Sequence, residues 1–148
     1  MNTPVSIEVQ KLFAFCENSI SNSIISNPIR AAAIVALRFC RLVYDSLDPA
    51  QRKALAEAEL YWSGQPAPRF EHYVDHFRAA ITADSARQER SASVARNRLV
   101  WCTLNTNTPL DDLLCEYMIM IGLELGISVA QMKMVLESTI LDGGRGLQ

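Results

Sequence analysis

The stretch Asn27-Pro28-Ile29-Arg30-Ala31-Ala32-Ala33-Ile34-Val35-Ala36-Leu37-Arg38-Phe39-Cys40-Arg41-Leu42-Val43-Tyr44-Asp45-Ser46-Leu47-Asp48-Pro49-Ala50-Gln51 decides the fold. It carries two helix starts with a mostly apolar segment between them. In Asn27-Pro28 and Asp48-Pro49 the first side chain accepts a bond from an orphan N–H of the first turn. The proline then fills the first helical position, where its missing N–H costs nothing. Gln51, three residues after Asp48, adds a capping box. Between the signals, Arg30, Arg38, Arg41 and Asp45 fall on one narrow strip of the helical wheel. The segment Pro28–Leu47 therefore reads as a helix at the centre of a bundle with one wet edge.

The same grammar extends in both directions. Thr3-Pro4 opens a first helix to about Ile20, with Val5, Val9, Leu12, Phe13, Cys16 and Ile20 at the helical period. The third helix runs from Pro49 towards Gly64, a C-terminal stop. The fourth, from Phe70 to about Ala83, buries Tyr73, Val74, Phe77 and Ile81. The spacing predicts a fifth from Asp84 or Ser85 to Leu104, opened by the capping box Ser85-Ala86-Arg87-Gln88. Thr108-Pro109 opens a sixth, to Leu125, apolar on most sides, with Asp111 and Asp112 in its first turn. Ser128-Val129-Ala130-Gln131 caps a seventh, ending near Leu141. The expectation is an all-α, single-domain bundle over residues 1–142 of about seven helices. The second and sixth helices form its centre, and residues 143–148 form a flexible tail.

At 148 residues with 49% hydrophobic and 20% charged side chains, the chain fits one globular domain with a sizeable core. A net charge of −2 supplies no bulk attraction to nucleic acid or anionic membrane. No secretory signal or membrane span is visible. The four cysteines are scattered and read as small apolar residues in a reducing cytoplasm.

Chemistry-bearing patterns are sparse. His72 and His76 have metal-pair spacing but point away from the apolar face centred on Phe77, so they read as a solvated face. No nucleophile motif or phosphate loop is present, and the expectation is no enzyme, no cofactor and no metal. On a fifth helix that begins at Asp84 or Ser85, Arg87, Arg90, Val94, Arg98 and Trp101 share one side. Arginine and tryptophan dominate binding hot spots, so this side is the candidate partner-binding face, for an acidic protein or a phosphate. The alternative is that Trp101 is core, covered by arginine stems.

Ile121-Gly122-Leu123-Glu124-Leu125-Gly126-Ile127-Ser128-Val129-Ala130-Gln131-Met132-Lys133-Met134-Val135 resembles a helix-turn-helix. The small Gly122 stands at the crossing and Gly126 in the turn. The resemblance implies a second helix in the major groove. Its outward side, Ala130, Gln131, Met134, Glu137, Ser138 and Leu141 with Lys133 at the edge, offers little to phosphates. Arg52-Lys53-Ala54-Leu55-Ala56-Glu57-Ala58-Glu59-Leu60-Tyr61-Trp62-Ser63-Gly64, an alanine-rich helix ending in Trp-x-Gly, resembles some all-helical immunity proteins of bacterial polymorphic toxin systems. That resemblance implies a non-enzymatic cytoplasmic protein that binds and neutralises a cognate toxin or effector. A helix-turn-helix DNA-binding regulator is the alternative.

Overall fold

In a computed structural model describing residues 6–88 and 90–142, the caps read from the sequence form at three helix starts. Asn27, Asp48 and Ser128 accept from the N–H groups of Arg30, Gln51 and Gln131 at 3.1, 2.7 and 3.1 Å. Gln51 and Gln131 reach back to the cap N–H groups, completing two capping boxes. Gly64 (φ +77°) ends the third helix: its N–H bonds Tyr61 O and the next N–H bonds Leu60 O, the double bond of a Schellman stop. Gly126 (φ +83°) repeats this with Leu123 O and Gly122 O.

The helices are α1 (Ile7–Ser21), α2 (Pro28–Leu42), α3 (Pro49–Trp62), α4 (Phe70–Ala86), α5 (Ala92–Leu104), α6 (Asp112–Glu124) and α7 (Val129–Leu141). A short 3-10 turn, Tyr44–Ser46, follows α2 and tucks Leu47 into the core. No strand occurs among the described residues. The Thr3-Pro4 signal and the Gly143–Gln148 tail lie outside them, as does Glu89; Ser6 caps α1 instead, accepting from Val9 N–H.

α2 and α5 form the centre of this single-domain bundle. α2 packs on α3, α5, α6 and α7, while α5 packs on α2, α3, α4 and α6. This corrects the expectation that the sixth helix shares the centre. Leu113, Tyr117 and Met120 keep one side of α6 in solvent, whereas Val94, Ala95, Leu99, Val100, Cys102, Thr103 and Leu104 sink α5 into the core. Alanines 31, 32, 33 and 36 on α2 are buried, and small side chains there let neighbouring backbones come close.

Two helix starts also differ from the reading. α4 runs on through its alanine-rich end to Ala86, so the Ser85 capping box does not form; Ser91 caps α5 instead, accepting from Val94 N–H at 3.3 Å. Asp111, not Thr108, caps α6. The cause is Leu110, which is buried and donates its N–H to Pro28 O at 2.9 Å. That bond holds the loop against the start of α2 and delays the helix.

The arginine strip of α2 is not simply wet. Its side chains bond neighbouring helices in their last turns, and Arg30 there serves a carbonyl that lacks an intrahelical partner. Arg30 Nε donates to Trp62 O at 3.0 Å, in the last turn of α3. Arg38 donates to Thr139 Oγ1 at 2.6 Å and pairs with Asp142 at 3.5 Å, at the end of α7. Arg41 pairs with Glu59. From α3, Arg52 donates to the carbonyls of Tyr44 and Asp45 after α2, and Trp62 Nε1–H donates to Thr103 O at 2.7 Å in the last turn of α5.

Candidate functional site

Because α4 ends at Ala86 and α5 starts at Ala92, the expected five-residue face does not lie on one helix. Arg87 is the C-cap of α4 and pairs with Asp84 at 3.1 Å. Arg90 is exposed in the connection. Val94 is 4% exposed and belongs to the core, so it is not a contact residue. Only Arg98 and Trp101 of the five stand on the outward side of α5, both half-buried.

What the structure brings together is a surface across three helices. Trp101 packs against the core, and the Arg78 guanidinium of α4 lies over its ring, 5.4 Å from the centroid. Such a cation–π contact holds both groups in place while leaving the outer ring edge accessible. Arg98, one turn before Trp101, lies near Tyr117 of α6. Burial pushes the Tyr117 hydroxyl up from its ordinary value, with the Arg98 charge opposing that rise. Leu113 and Met120 continue the exposed side of α6, at spacings of four and three from Tyr117. Where α4 meets α5, Ser85, Gln88, Arg90 and Arg98 line a polar cleft of about 430 Å³.

Arg78 and Tyr117 carry no site signal in the sequence, and Ser85 and Gln88 stand out there only as a capping box. The Leu113/Tyr117/Met120 spacing was legible, but it is hidden in a helix that reads as apolar on most sides. Arg78 gives no local signal, because its partner lies on another helix.

The other chemistry-bearing residues sort as follows. His72 and His76 are exposed, on the side of α4 away from Phe77. Among the described residues no group of three or more His, Cys, Asp or Glu is placed to hold a metal ion. All four cysteines are buried and unbridged. Cys16 and Cys115 share a thiol–thiol hydrogen bond between α1 and α6 that lowers the first pKa and raises the second. Cys40 and Cys102 are neighbours, and burial pushes the Cys102 thiol up to about 12.

At the α6–α7 turn, a Cβ on Gly122 would sit 2.7 Å from Met132 Sδ, so any side chain there would have to displace the buried Met132. On α7 Met134 is 72% exposed, and the Lys133 ammonium lies over the Phe15 ring at 5.4 Å. No helix among the described residues is long and apolar enough to cross a membrane. No protein-family model, curated protein or solved structure matches this chain.

Proposed function

We propose that this chain is a non-catalytic protein-binding domain, an inhibitor or immunity protein that binds and neutralises a cognate toxin or effector in a bacterial cytoplasm. The observation that carries this reading is the run Arg78–Trp101–Arg98–Tyr117 across α4, α5 and α6, with Trp101 half-buried under Arg78. Binding energy concentrates in rigid aromatic and arginine anchors that are partly seated before the partner arrives. Leu113 and Met120 beside Tyr117 add apolar area at its edge. Arg90 and Arg98 favour an acidic partner, by steering the encounter as well as by contact. Four unbridged cysteines suit a reducing compartment.

The test is co-expression with toxic products of adjacent genes, scored as restored growth, followed by calorimetry on the pair that rescues. Arg98→Ala with Trp101→Ala leaves a folded chain, because neither residue is deep in the core, and weakens binding by about 100-fold or more. Unchanged affinity in the folded double variant overturns the reading. The Gly122 and Gly126 geometry favours one second reading, a DNA-binding helix pair. It requires duplex affinity that falls steeply with salt. The outer side of α7, with Met134, Glu137 and Leu141, is poorly made for that task.

A further inference from the structure

The cleft between the end of α4 and the start of α5 has a composition of its own. Ser85, Gln88, Arg90 and Arg98 all offer hydrogen-bond donors to it, and two of them carry a permanent positive charge. Among the described residues, carboxylates pair with Arg38, Arg41, Arg78 and Arg87. Among the described residues none pairs with Arg90 or Arg98. Asp84, one residue before the cleft wall, does not line it. It is 7% exposed and gives one oxygen to Arg87.

Gln88 is the one non-glycine with a left-handed backbone among the described residues, at φ +54°. It stands just after the α4 C-cap, where glycine is the unstrained choice. Glycine there would remove an amide from the cleft wall. Local strain kept at a cleft is a pointer from geometry to function. α5 begins two residues after Arg90, so the positive end of its dipole adds to the same field.

Charge and size narrow the ligand. A lone carboxylate brings one negative charge to two guanidinium groups and has two oxygens for four donor side chains. A phosphomonoester brings about −1.5 to −2 at pH 7 and three terminal oxygens. The cleft, at about 430 Å³, also exceeds by more than tenfold the roughly 30 Å³ that one water occupies. It has room for the phosphate head and the first carbons behind it. Trp101 follows Arg98 by one turn on the same side of α5, just outside the cleft lining.

We propose that this cleft is a binding site for a phosphomonoester, its dianionic head held between Arg90 and Arg98 with Ser85 and Gln88 as neutral donors. The proposal rests on the reading of this face as the working surface and specifies the group it recognises. A free metabolite and a phosphorylated side chain of a protein partner carry the same head.

Amide and arginine-side-chain NMR titrations of the full chain test it, with inorganic phosphate, phenyl phosphate and a phosphoserine tripeptide as probes. The expected result is a perturbation centred on Ser85–Val94 and Arg98, with Kd near about 1 mM or tighter. Affinity falls as pH drops below about 6, where the second charge is lost. Arg90→Gln and Arg98→Gln each weaken binding about tenfold, while Arg69→Gln, outside the cleft, leaves it unchanged. Tighter binding of the tripeptide than of phenyl phosphate assigns the head to a protein partner, and the reverse order assigns it to a small molecule. The proposal is overturned by an unperturbed cleft at about 20 mM phosphate, roughly twenty times the expected Kd. An equal response to chloride at matched ionic strength, or unchanged binding in the Arg90→Gln/Arg98→Gln double variant, overturns it as well. So does a duplex that binds the cleft more tightly than any monoester. If phosphate fails while Trp101→Ala with Arg98→Ala still weakens a protein partner, the phosphate site alone falls and the protein-binding reading stands.

Discussion

Replacing Trp62 with phenylalanine tests whether the C-terminal turns of the helices are held by neighbouring side chains. Trp62 Nε1–H donates to Thr103 O at 2.7 Å, and the indole is almost wholly buried. Thr103 lies in the last turn of α5, where carbonyls have no intrahelical donor. Phenylalanine keeps an aromatic ring in place but leaves that carbonyl without its partner, at a cost of about 1–3 kcal/mol. The smaller ring gives up roughly 1 kcal/mol of apolar burial besides. The expected loss is therefore about 2–4 kcal/mol, within the roughly 5–15 kcal/mol by which a domain of this kind is stable. Urea unfolding followed by circular dichroism reads it directly. With an m-value of about 2 kcal/mol/M, the midpoint falls by about 1–2 M. Trp101, left as the only tryptophan, reports by fluorescence whether its own surroundings are disturbed. A midpoint within about 0.25 M of the parent would refute the reasoning, since it would make the Trp62–Thr103 bond energetically idle.

Three further outcomes follow from other parts of the structure. Gly122→Val, which places branched carbons against the fully buried Met132, costs about 1–3 kcal/mol in a urea titration; a loss under about 0.5 kcal/mol would mean that α6 and α7 do not meet closely there. Gln88→Gly relieves the left-handed strain and raises stability by about 0.5–1 kcal/mol while weakening phosphate binding; a destabilised variant would remove the strain argument. Burial raises the folded-state pKa of Cys40 and of Cys102, the latter to about 12, above the roughly 8.5 of an unfolded thiol. Their contribution is thus complete below about pH 8.5 and is lost as pH rises towards 12, by up to about 1.4 kcal/mol per pH unit for each thiol. Urea midpoints taken at successive pH values check this, and Cys102→Ala flattens the decline; a slope unchanged in that variant would show that the thiol is not the cause.

Much of the scaffold was legible because its signals are local. An asparagine, aspartate or serine followed by the right next three residues caps a helix with little help from afar, and Asn27, Asp48 and Ser128 do so. Gly64 and Gly126 stop helices for the same reason. The misread starts are places where a distant group decides. Thr108-Pro109 has the form of a cap, but Leu110 is drawn to Pro28 O and the helix waits for Asp111. Ser85 and Ser91 both have serine's capping chemistry, and the continuation of α4 to Ala86 selects the second. The candidate face suffered from that choice. Arg98 and Trp101 keep their outward side, Arg87 and Arg90 leave the helix, and Val94 turns inward. Arg78 over Trp101 and the joint placement of Arg90 with Ser85 and Gln88 depend on packing between helices, which no spacing within one segment encodes. Within the Trp-x-Gly segment, Trp62 closes α5 and Gly64 ends α3, two roles internal to the fold.

The arginines of α2 and the indole of α3 govern how the molecule breathes. Helix ends ordinarily fray first, each on its own, at small free-energy cost. Here the last turn of α3 is fastened by Arg30, that of α7 by Arg38 and that of α5 by Trp62. Loosening any one of them releases a donor rooted in a different helix. Amide protons near Trp62, Thr103 and Thr139 should therefore exchange with solvent at rates set by concerted opening of α2, α3, α5 and α7, while the outward edges of α4 and α6 exchange sooner. Such a molecule keeps a slow clock in its interior and a faster one along the outward edges of α4 and α6.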